Sequence, residues 1–367
     1  MAVPKSSRIL WRGRRWCGNC DEVRSHVEEM SSSPNKVGQC WHPVAYCDAL
    51  SSSEPLGVTL LDEPIVLWRA GDTNPVAMKD VCIHRGTALS LGSLDGEGLV
   101  CAYHGWRYDR TGACVHIPQT ESPDIPRKAR VPAYQCQERY GLIWVALREP
   151  AYALPEVPEL EEGSWKIVNT GPFTWKADAS RQVENFTDFG HFPWVHPGLL
   201  GDIERPVVAD YTVDTKGHVL HYEVTRPEAP NSDEFPVFGN ESAQAPVRVS
   251  RYELHLPYTI VLRLGWGAEK GMVYFFASQP IRANQCRGYC IIGRNYDFEQ
   301  PDRLLQEFED TIFGQDQRIV ESQRPEQVPF DLASELHLKF DALAIAYRRA
   351  MEAEGLAYGG EVSKSKA

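Results

Sequence analysis

The sequence predicts an α+β fold: an antiparallel β domain, followed by a domain in which an antiparallel sheet is packed by helices. Up to about residue 150, short apolar runs alternate with turn signals such as Asp95-Gly96, as in antiparallel β domains. After a proline-rich connector at residues 149–163, strand-like runs mix with helical patterns. With 367 residues, 43% of them hydrophobic, the chain is long and apolar enough to bury a sizeable core.

The first domain is read from four apolar runs that are short enough to be strands. They are Val58–Leu61, Ile65–Trp68, Leu99–Tyr103 and Leu142–Leu147. Residues 1–36 show no sustained periodicity and are interpreted as an extension; their Cys17 and Cys20 form a Cys-x-x-Cys pair without a second pair. We therefore place the first domain at residues 37–155.

The second domain begins with a helical pattern at residues 183–192 that is broken near Pro193. Six strand-like runs follow, Val207–Val213, Val219–Val224, Val247–Leu256, Thr259–Leu264, Val273–Ser278 and Gly288–Ile292, with a polar, proline-rich loop expected at residues 226–246. Two closing helices are predicted, Asp302 to about Ser322 and about Leu332 to Glu354, the second ending at Gly355. The domain is placed at residues 156–355, with a tail at 356–367.

Charge and hydropathy exclude two classes of function. Lys and Arg total 38 against 50 Asp and Glu, and the net charge of −12 argues against a nucleic-acid-binding protein. No apolar run approaches the roughly 20 residues that span a bilayer. The ten cysteines have mostly irregular spacings and no apolar signal segment opens the chain, so we expect free thiols and a cytoplasmic location.

Four metal-ligand residues stand close together in the first domain: Cys82, His84, Cys101 and His104. Their spacing is Cys-x-His, sixteen residues, then Cys-x-x-His, with each pair at the tip of a tight loop. One zinc ion could take all four in a tetrahedron. A Rieske [2Fe–2S] cluster would take both Cys on one iron and both His on the other, and the tight Cys-x-His spacing favours it. Buried residues without a ligand are the third interpretation.

A second group lies in the stretch RQVENFTDFGHFPWVHPG of the second domain. Asp188 and His191 are three residues apart and would face the same way on a helix. His196 follows beyond Pro193, where a turn could bring it back toward His191. Polar groups in so apolar a segment need partners, and a metal ion is one. A histidine satisfied within the core is the alternative.

An acidic residue falls on the apolar stripe of the predicted helix at 302–322. The stripe consists of Leu305, Phe308, Ile312, Ile319 and Val320, and a step of four from Ile312 reaches Asp316. A buried carboxylate is costly unless it is paired or bound to metal, so a salt bridge with Arg318 or Arg324 is one reading. The other joins Asp316 to His191 and His196 in a 2-His-1-carboxylate triad, which leaves coordination positions open on Fe(II).

These motifs resemble one family in the same order along the chain. The strings CIHRG and CAYHGWRYD, with GACVHIP downstream, resemble Rieske domains, although Ile83 stands where proline is more frequent. The Asp-x-x-His-x(4)-His string and the late helical Asp resemble the catalytic domain of Rieske non-haem iron oxygenase α subunits. QCQERYGLIWV resembles the shorter α-only members, the group of vanillate and dicamba demethylases and phenoxybenzoate-type oxygenases.

The resemblance implies a helix-grip-like catalytic domain and a division of roles among the residues. Cys82, His84, Cys101 and His104 would bind the [2Fe–2S] cluster, and the mononuclear Fe(II) ligands would be His191, His196 and Asp316. Asp188 would be an electron and proton bridge between His191 and, by position, His104 of a neighbouring subunit. Asn185 matches a position close to the iron.

The same resemblance implies an assembly and a reaction. We expect a homotrimer that receives NAD(P)H electrons from a reductase or a ferredoxin and uses O₂ to hydroxylate, or to O- or N-demethylate, an aromatic or heterocyclic small molecule. One alternative on the same scaffold is cis-dihydroxylation of an arene. The other is a pure electron-transfer Rieske protein, against which the position of Asp316 argues.

Overall fold

The computed structural model describes residues 36–71, 74–96, 98–122, 124–227, 247–266 and 270–356. The strands of the first part are β1 His42–Tyr46, β2 Leu56–Leu60, β3 Glu63–Trp68, β4 Val76–Lys79, β5 Ser93–Leu94, β6 Leu99–Val100, β7 Arg107–Tyr108, β8 Cys114–His116, β9 Ala133–Arg139 and β10 Leu142–Ala146. Those of the second part are β11 Lys166–Trp175, β12 Asp214–Lys216, β13 Val219–Pro227, β14 Val247–His255, β15 Thr259–Trp266, β16 Lys270–Arg282 and β17 Gln285–Arg294. The α-helices are α1 Ala179–Thr187, α2 Phe192–Val195, α3 Asp302–Val320 and α4 Ala342–Glu354.

The first part is built from two antiparallel sheets, as the turn-rich sequence predicts. One has six strands in the order β1-β10-β9-β4-β3-β2, and the other has four in the order β5-β6-β7-β8. The predicted run at Leu99–Tyr103 is wrong beyond Val100, because the chain leaves the strand at Cys101 to form a tight loop. That loop carries two of the candidate cluster ligands.

The second part is a seven-stranded antiparallel sheet with helices packed against it. Its strand order is β11-β17-β16-β15-β14-β13-β12. Helix α3 packs against β11, and α1 packs against β16 and β17. These contacts place both helices over the sheet and confirm the α+β class. The predicted strand at Val207–Val213 is wrong, since that segment has no regular secondary structure, and β11 and β12 were not predicted.

Two helix predictions need correction. The pattern at 183–192 forms two separate helices: α1 begins four residues earlier and ends at Thr187, and α2 begins at Phe192 with Pro193 in its first turn. The closing helix does not begin near Leu332, because residues 332–341 contain two short 3₁₀ turns and α4 begins at Ala342. It does end at Gly355, in the left-handed conformation that glycine adopts readily.

The two parts share a packed interface. Trp144 of β10 packs edge-on against Phe275 of β16, with ring centroids 5.8 Å apart. The Tyr46 hydroxyl donates to the Thr170 carbonyl at 2.7 Å, and the Leu61 N–H donates to the Pro280 carbonyl at 2.8 Å. The described residues between 36 and 356 therefore belong to one compact unit, in which strand β10 of the first part packs against the sheet of the second part.

Several predictions lie outside the described residues: the extension at 1–35, loop residues 228–246 and tail residues 357–367. Among the helices that the structure describes, none combines the length and the apolar character that a membrane crossing needs.

Candidate metal centres and the adjoining pocket

Two loops of closely similar geometry carry the four candidate cluster ligands of the first domain. The carbonyl of Cys82 accepts the N–H of Gly86 at 2.9 Å, and the carbonyl of Cys101 accepts that of Gly105 at the same distance. Both glycines have positive φ, 75° and 69°, a conformation that favours glycine. The glycines of the HRG and HGW strings are therefore needed for the backbone conformation of the two loops.

The loops bring the four candidate ligands together at the tip of the first part. The rings of His84 and His104 lie 4.5 Å apart, and His84 stacks on Trp106 at 4.4 Å. Cys82 and Cys101 are buried beneath them, and the Cys82 sulfur lies 3.1 Å from the Tyr108 hydroxyl. The two imidazoles form one pair and the two thiols another, as a cluster with Cys on one iron and His on the other requires.

The chemistry of these side chains fits a bound metal group. The Nδ1 atom of His84 is buried without a hydrogen-bond partner in the described part of the chain. Burial raises the pKa of the Cys101 thiol, and the neighbouring Cys82 adds to this effect. A positive metal centre is the partner that would stabilise a thiolate there.

Asp188, His191 and His196 lie on the turn between α1 and α2 and at the ends of these helices, not on one helix. Asp188 caps the end of α1 in an extended conformation, while His191 and His196 flank the two ends of α2. The prediction that Asp188 and His191 share a helix face is wrong for this reason. Their contact survives: His191 Nδ1 lies 2.9 Å from an Asp188 carboxylate oxygen, since the turn brings them together.

His191, His196 and Asp316 meet in the core of the second part. His191 Nε2 and His196 Nε2 lie 3.4 Å and 3.0 Å from the same oxygen of Asp316, and the candidate ligand atoms all lie within 4.8 Å of one another. Both Nε2 atoms are buried and neither has a hydrogen-bond partner among the described residues. Two unsatisfied imidazole nitrogens aimed at one carboxylate fit a 2-His-1-carboxylate metal site.

The alternative pairing of Asp316 is not what the structure shows. Arg324 donates to backbone carbonyls of its own turn and pairs with Glu326. Asp316 is buried, as its stripe position predicts, whereas Ile319 of the proposed stripe is 41% exposed. The carboxylate therefore faces the two histidines, not an arginine.

Each of the three side chains is oriented by a neighbour. Gln315, which sequence reasoning missed, lies with its side-chain oxygen 2.7 Å from His196 Nδ1, and Asn185 donates to the shared Asp316 oxygen at 3.4 Å. Burial alone would raise the pKa of Asp188, but the hydrogen bond and charge of His191 outweigh it and hold that pKa below its usual value. Asp188 is therefore an anionic acceptor for His191.

A largely apolar pocket opens beside the triad. Its walls include Phe186, Phe192, Leu262, Leu264, Ile312 and Phe313. Phe186 stacks on Phe276 at 4.6 Å and Phe313 stacks on Phe173 at 4.0 Å, which gives this wall a fixed shape. Four residues with polar groups that the sequence analysis did not single out also line the pocket: Arg248, Tyr252, Tyr274 and Glu309. The shape suits a flat organic molecule held against the three candidate ligands.

Comparisons with known proteins find two family matches along the chain. Residues 40–135 match the Rieske [2Fe-2S] domain, and residues 175–355 match the vanillate O-demethylase oxygenase C-terminal domain. The chain is 35% identical to methylxanthine N1-demethylase NdmA of Pseudomonas putida, covering 84% of this chain and 86% of that one. It is 30% identical to methylxanthine N3-demethylase NdmB of the same species, covering 89% and 92%. The structure of Pseudomonas putida CBB5 NdmA with caffeine superposes with a TM-score of 0.77 at 33% identity, over 85% of this chain and 89% of that chain.

Proposed function

The chain belongs to the Rieske non-haem iron oxygenase α subunits, and from that premise we propose that it hydroxylates, or removes O- or N-methyl groups from, an aromatic or heterocyclic small molecule. The observation that carries the proposal is the convergence of His191, His196 and Asp316 at the wall of an apolar pocket. Relatives that demethylate a methylxanthine support the substrate class.

The candidate ligands define where two metal centres would bind. Cys82, His84, Cys101 and His104 would hold the [2Fe–2S] cluster, and His191, His196 and Asp316 would hold Fe(II). When bound, these centres supply stored electrons and the activation of O₂, chemistry that organic side chains lack.

The chain's own residues perform the remaining tasks. The phenyl rings of the pocket exclude water and hold a flat substrate beside the triad. Gln315 and Asp188 fix the orientation of His196 and His191, so that each Nε2 points toward Asp316. Asn185 holds the Asp316 carboxylate. Asp188 is hydrogen-bonded to His191 Nδ1. It is therefore placed to accept a proton from this imidazole, or to return it, when the charge at the Nε2 side of the ring changes.

The proposed assembly is a homotrimer served by an NAD(P)H-dependent reductase or a ferredoxin. Support comes from the partial solvent access of both ends of the proposed bridge: the Asp188 side chain is 39% exposed, and His104 is half-buried beside the exposed Tyr103. In the trimer, Asp188 would meet His104 of the neighbouring subunit. Co-expression of H104A and D316A chains tests this: mixed oligomers should recover part of the activity that either variant lacks alone. Persistent inactivity of the mixture would contradict transfer between subunits.

A single turnover with isotopically heavy O₂ tests the reaction. The chemically reduced, iron-loaded protein is mixed with methoxy-, N-methyl- and unsubstituted aromatics, and the products are weighed. We expect the gain of one labelled oxygen, or the loss of a methyl group as formaldehyde, and neither product from D316A. Gain of two labelled oxygens would instead indicate cis-dihydroxylation.

A further inference from the structure

A buried carboxyl group lines the substrate pocket and has no part in the mechanism above. Glu309 lies on α3 seven residues before Asp316, two turns along the same face, and is only 3% exposed. One of its oxygens accepts a hydrogen bond from the Tyr274 hydroxyl at 3.1 Å. Among the described residues, Tyr274 is the hydrogen-bond partner of the Glu309 side chain.

Burial favours the uncharged form of Glu309 and raises its pKa to about 8. The hydrogen bond from Tyr274 acts in the opposite direction, and the negative charges of Asp310 and Asp316 on the same helix add to the rise. The Cys290 thiol of β17 is also kept neutral, because burial raises its pKa well above the usual value. The Arg248 side chain of β14 lines the same pocket. Near neutral pH, most molecules therefore carry a carboxylic acid at this position.

A carboxylic acid can do what a carboxylate cannot: it donates a hydrogen bond. Tyr274 already donates to one oxygen, so the acid proton on the other oxygen is available to a ligand. A buried donor left unpaired is costly, and a pocket that contains one discriminates against analogues that lack an acceptor. Most of the surrounding wall is apolar, and Arg248 is the other charged-type donor among the described lining residues.

We propose that Glu309 is a specificity-determining residue of this pocket: positioned by the Tyr274 hydroxyl, its buried carboxylic acid donates a hydrogen bond to a neutral acceptor, a ring nitrogen or a carbonyl oxygen, of the aromatic or heterocyclic substrate. This inference rests on the proposed function. It deepens that function, because it states which edge of the substrate faces α3 while the carbon to be oxidised faces the triad.

Ligand binding to the iron-loaded protein without O₂ tests the inference separately from turnover. Four probes of similar size are compared by calorimetry at pH 7: anisole, 3-methoxypyridine, 3-methoxybenzoate and 3-methoxybenzylamine. We expect 3-methoxypyridine to bind about tenfold more tightly than anisole. E309L should abolish that preference, and E309Q should retain it because a carboxamide also donates. E307Q, at an exposed position on the same helix that does not act on the Glu309 carboxyl, is the control and should change nothing.

Three results would overturn the inference. Equal binding of anisole and 3-methoxypyridine would remove the role of the donor. Tightest binding of 3-methoxybenzylamine, lost in E309Q, would mean that a carboxylate recognises a cation. Tightest binding of 3-methoxybenzoate, unchanged in E309L, would assign recognition to another residue such as Arg248. Failure of the proposed function is distinct: it would appear as a missing mononuclear iron in the same preparation, whatever the probes do.

Discussion

At the scale of single residues, the two histidines of the pocket are fixed by the ring nitrogen that does not face Asp316. Asp188 bonds Nδ1 of His191 and Gln315 lies at Nδ1 of His196, at 2.9 Å and 2.7 Å. An acceptor at Nδ1 keeps that nitrogen protonated and leaves the Nε2 lone pair for a metal ion. The candidate site therefore extends one layer beyond its three ligands.

The first prediction concerns Asp188. D188A should keep the iron of both proposed centres and lose turnover to below about 1% of wild type, because the proposed bridge between them is removed while the candidate ligands remain. Iron content and steady-state rate are measured on the same preparation. D188N separates charge from shape, and a normal rate in D188A would contradict the bridge.

The second prediction concerns Gln315. Q315A should weaken binding of the mononuclear iron roughly 10–100-fold, since His196 loses the acceptor that orients it. Q315E should restore binding because a carboxylate also accepts. Competition with a chelator measures the affinity, and Q306A, on the exposed side of the same helix, serves as the control. Equal iron retention in Q315A and Q306A would show that Gln315 does not position His196.

The third prediction concerns the pH dependence of stability. The pKa of Glu309 is raised to about 8 in the folded protein from 4.5, so the folded state binds the proton more tightly. The resulting stability is complete below pH 4.5 and is lost as pH rises through 8. The free energy of unfolding should fall by roughly 1–3 kcal/mol between pH 6.5 and 8.

That window isolates Glu309 from the other buried groups. In the folded state both Asp178, with a raised pKa of about 6, and His42, with a lowered pKa of about 4, titrate below it. In the unfolded state the pKa of His42 is 6.5, and its titration raises stability with pH, opposite in sign to the expected decline. In E309Q the decline should disappear, as measured by chemical unfolding across the pH range. A decline of the same size in E309Q would refute the assignment.

At the scale of elements, the single-turn helix α2 places both histidines and depends on a close backbone contact. A Cβ on Gly201 would lie 2.3 Å from the Pro193 nitrogen and 2.4 Å from the Phe192 carbonyl carbon. Backbone atoms cannot move aside as a flexible side chain can. The loop after His196 therefore packs directly against the backbone of α2. The positions of His191 and His196 depend on this contact.

The fourth prediction follows from this contact. G201A should displace α2, destabilise the protein by roughly 1–3 kcal/mol and lower the mononuclear iron content, with the cluster retained. The matched control is G198A in the same loop, where a Cβ meets nothing within 4 Å and only the positive φ is strained, at about 1 kcal/mol. Iron and sulfide analysis distinguishes the two. Full iron occupancy in G201A would show that the loop does not hold the site.

At this scale, the sequence predicts correctly which residues are buried where the apolar side chains recur with the period of a helix. The stripe from Leu305 to Ile312 correctly indicates that Asp316 is buried. The same stripe could have found Glu309, four residues after Leu305. Nothing in the pattern marks Gln315, because its role arises from a contact with His196, 119 residues away. The spacing correctly paired His191 with Asp188 but wrongly placed both on one helix, because α1 ends at Thr187 and α2 begins at Phe192.

At the scale of the whole molecule, the two candidate metal centres lie in different parts of one compact unit, the first on loops and the second on helices and the turn between them. The order of the two domains was predictable because each carries a dense local motif. The packing of β10 on β16 was not, because it joins residues more than a hundred positions apart that have no shared motif. The pocket lining was equally hidden, since it combines strands and helices from across the second part.

The fifth prediction tests the claim that one chain carries both centres. Iron and acid-labile sulfide are measured per chain in the wild-type protein and in D316A, after both have been incubated with Fe(II) without O₂. We expect the two irons and two sulfides of a [2Fe–2S] cluster in each protein, and one further iron in the wild type alone. A wild-type protein that never exceeds the iron of its cluster, or a D316A protein that keeps the additional iron, would contradict the account.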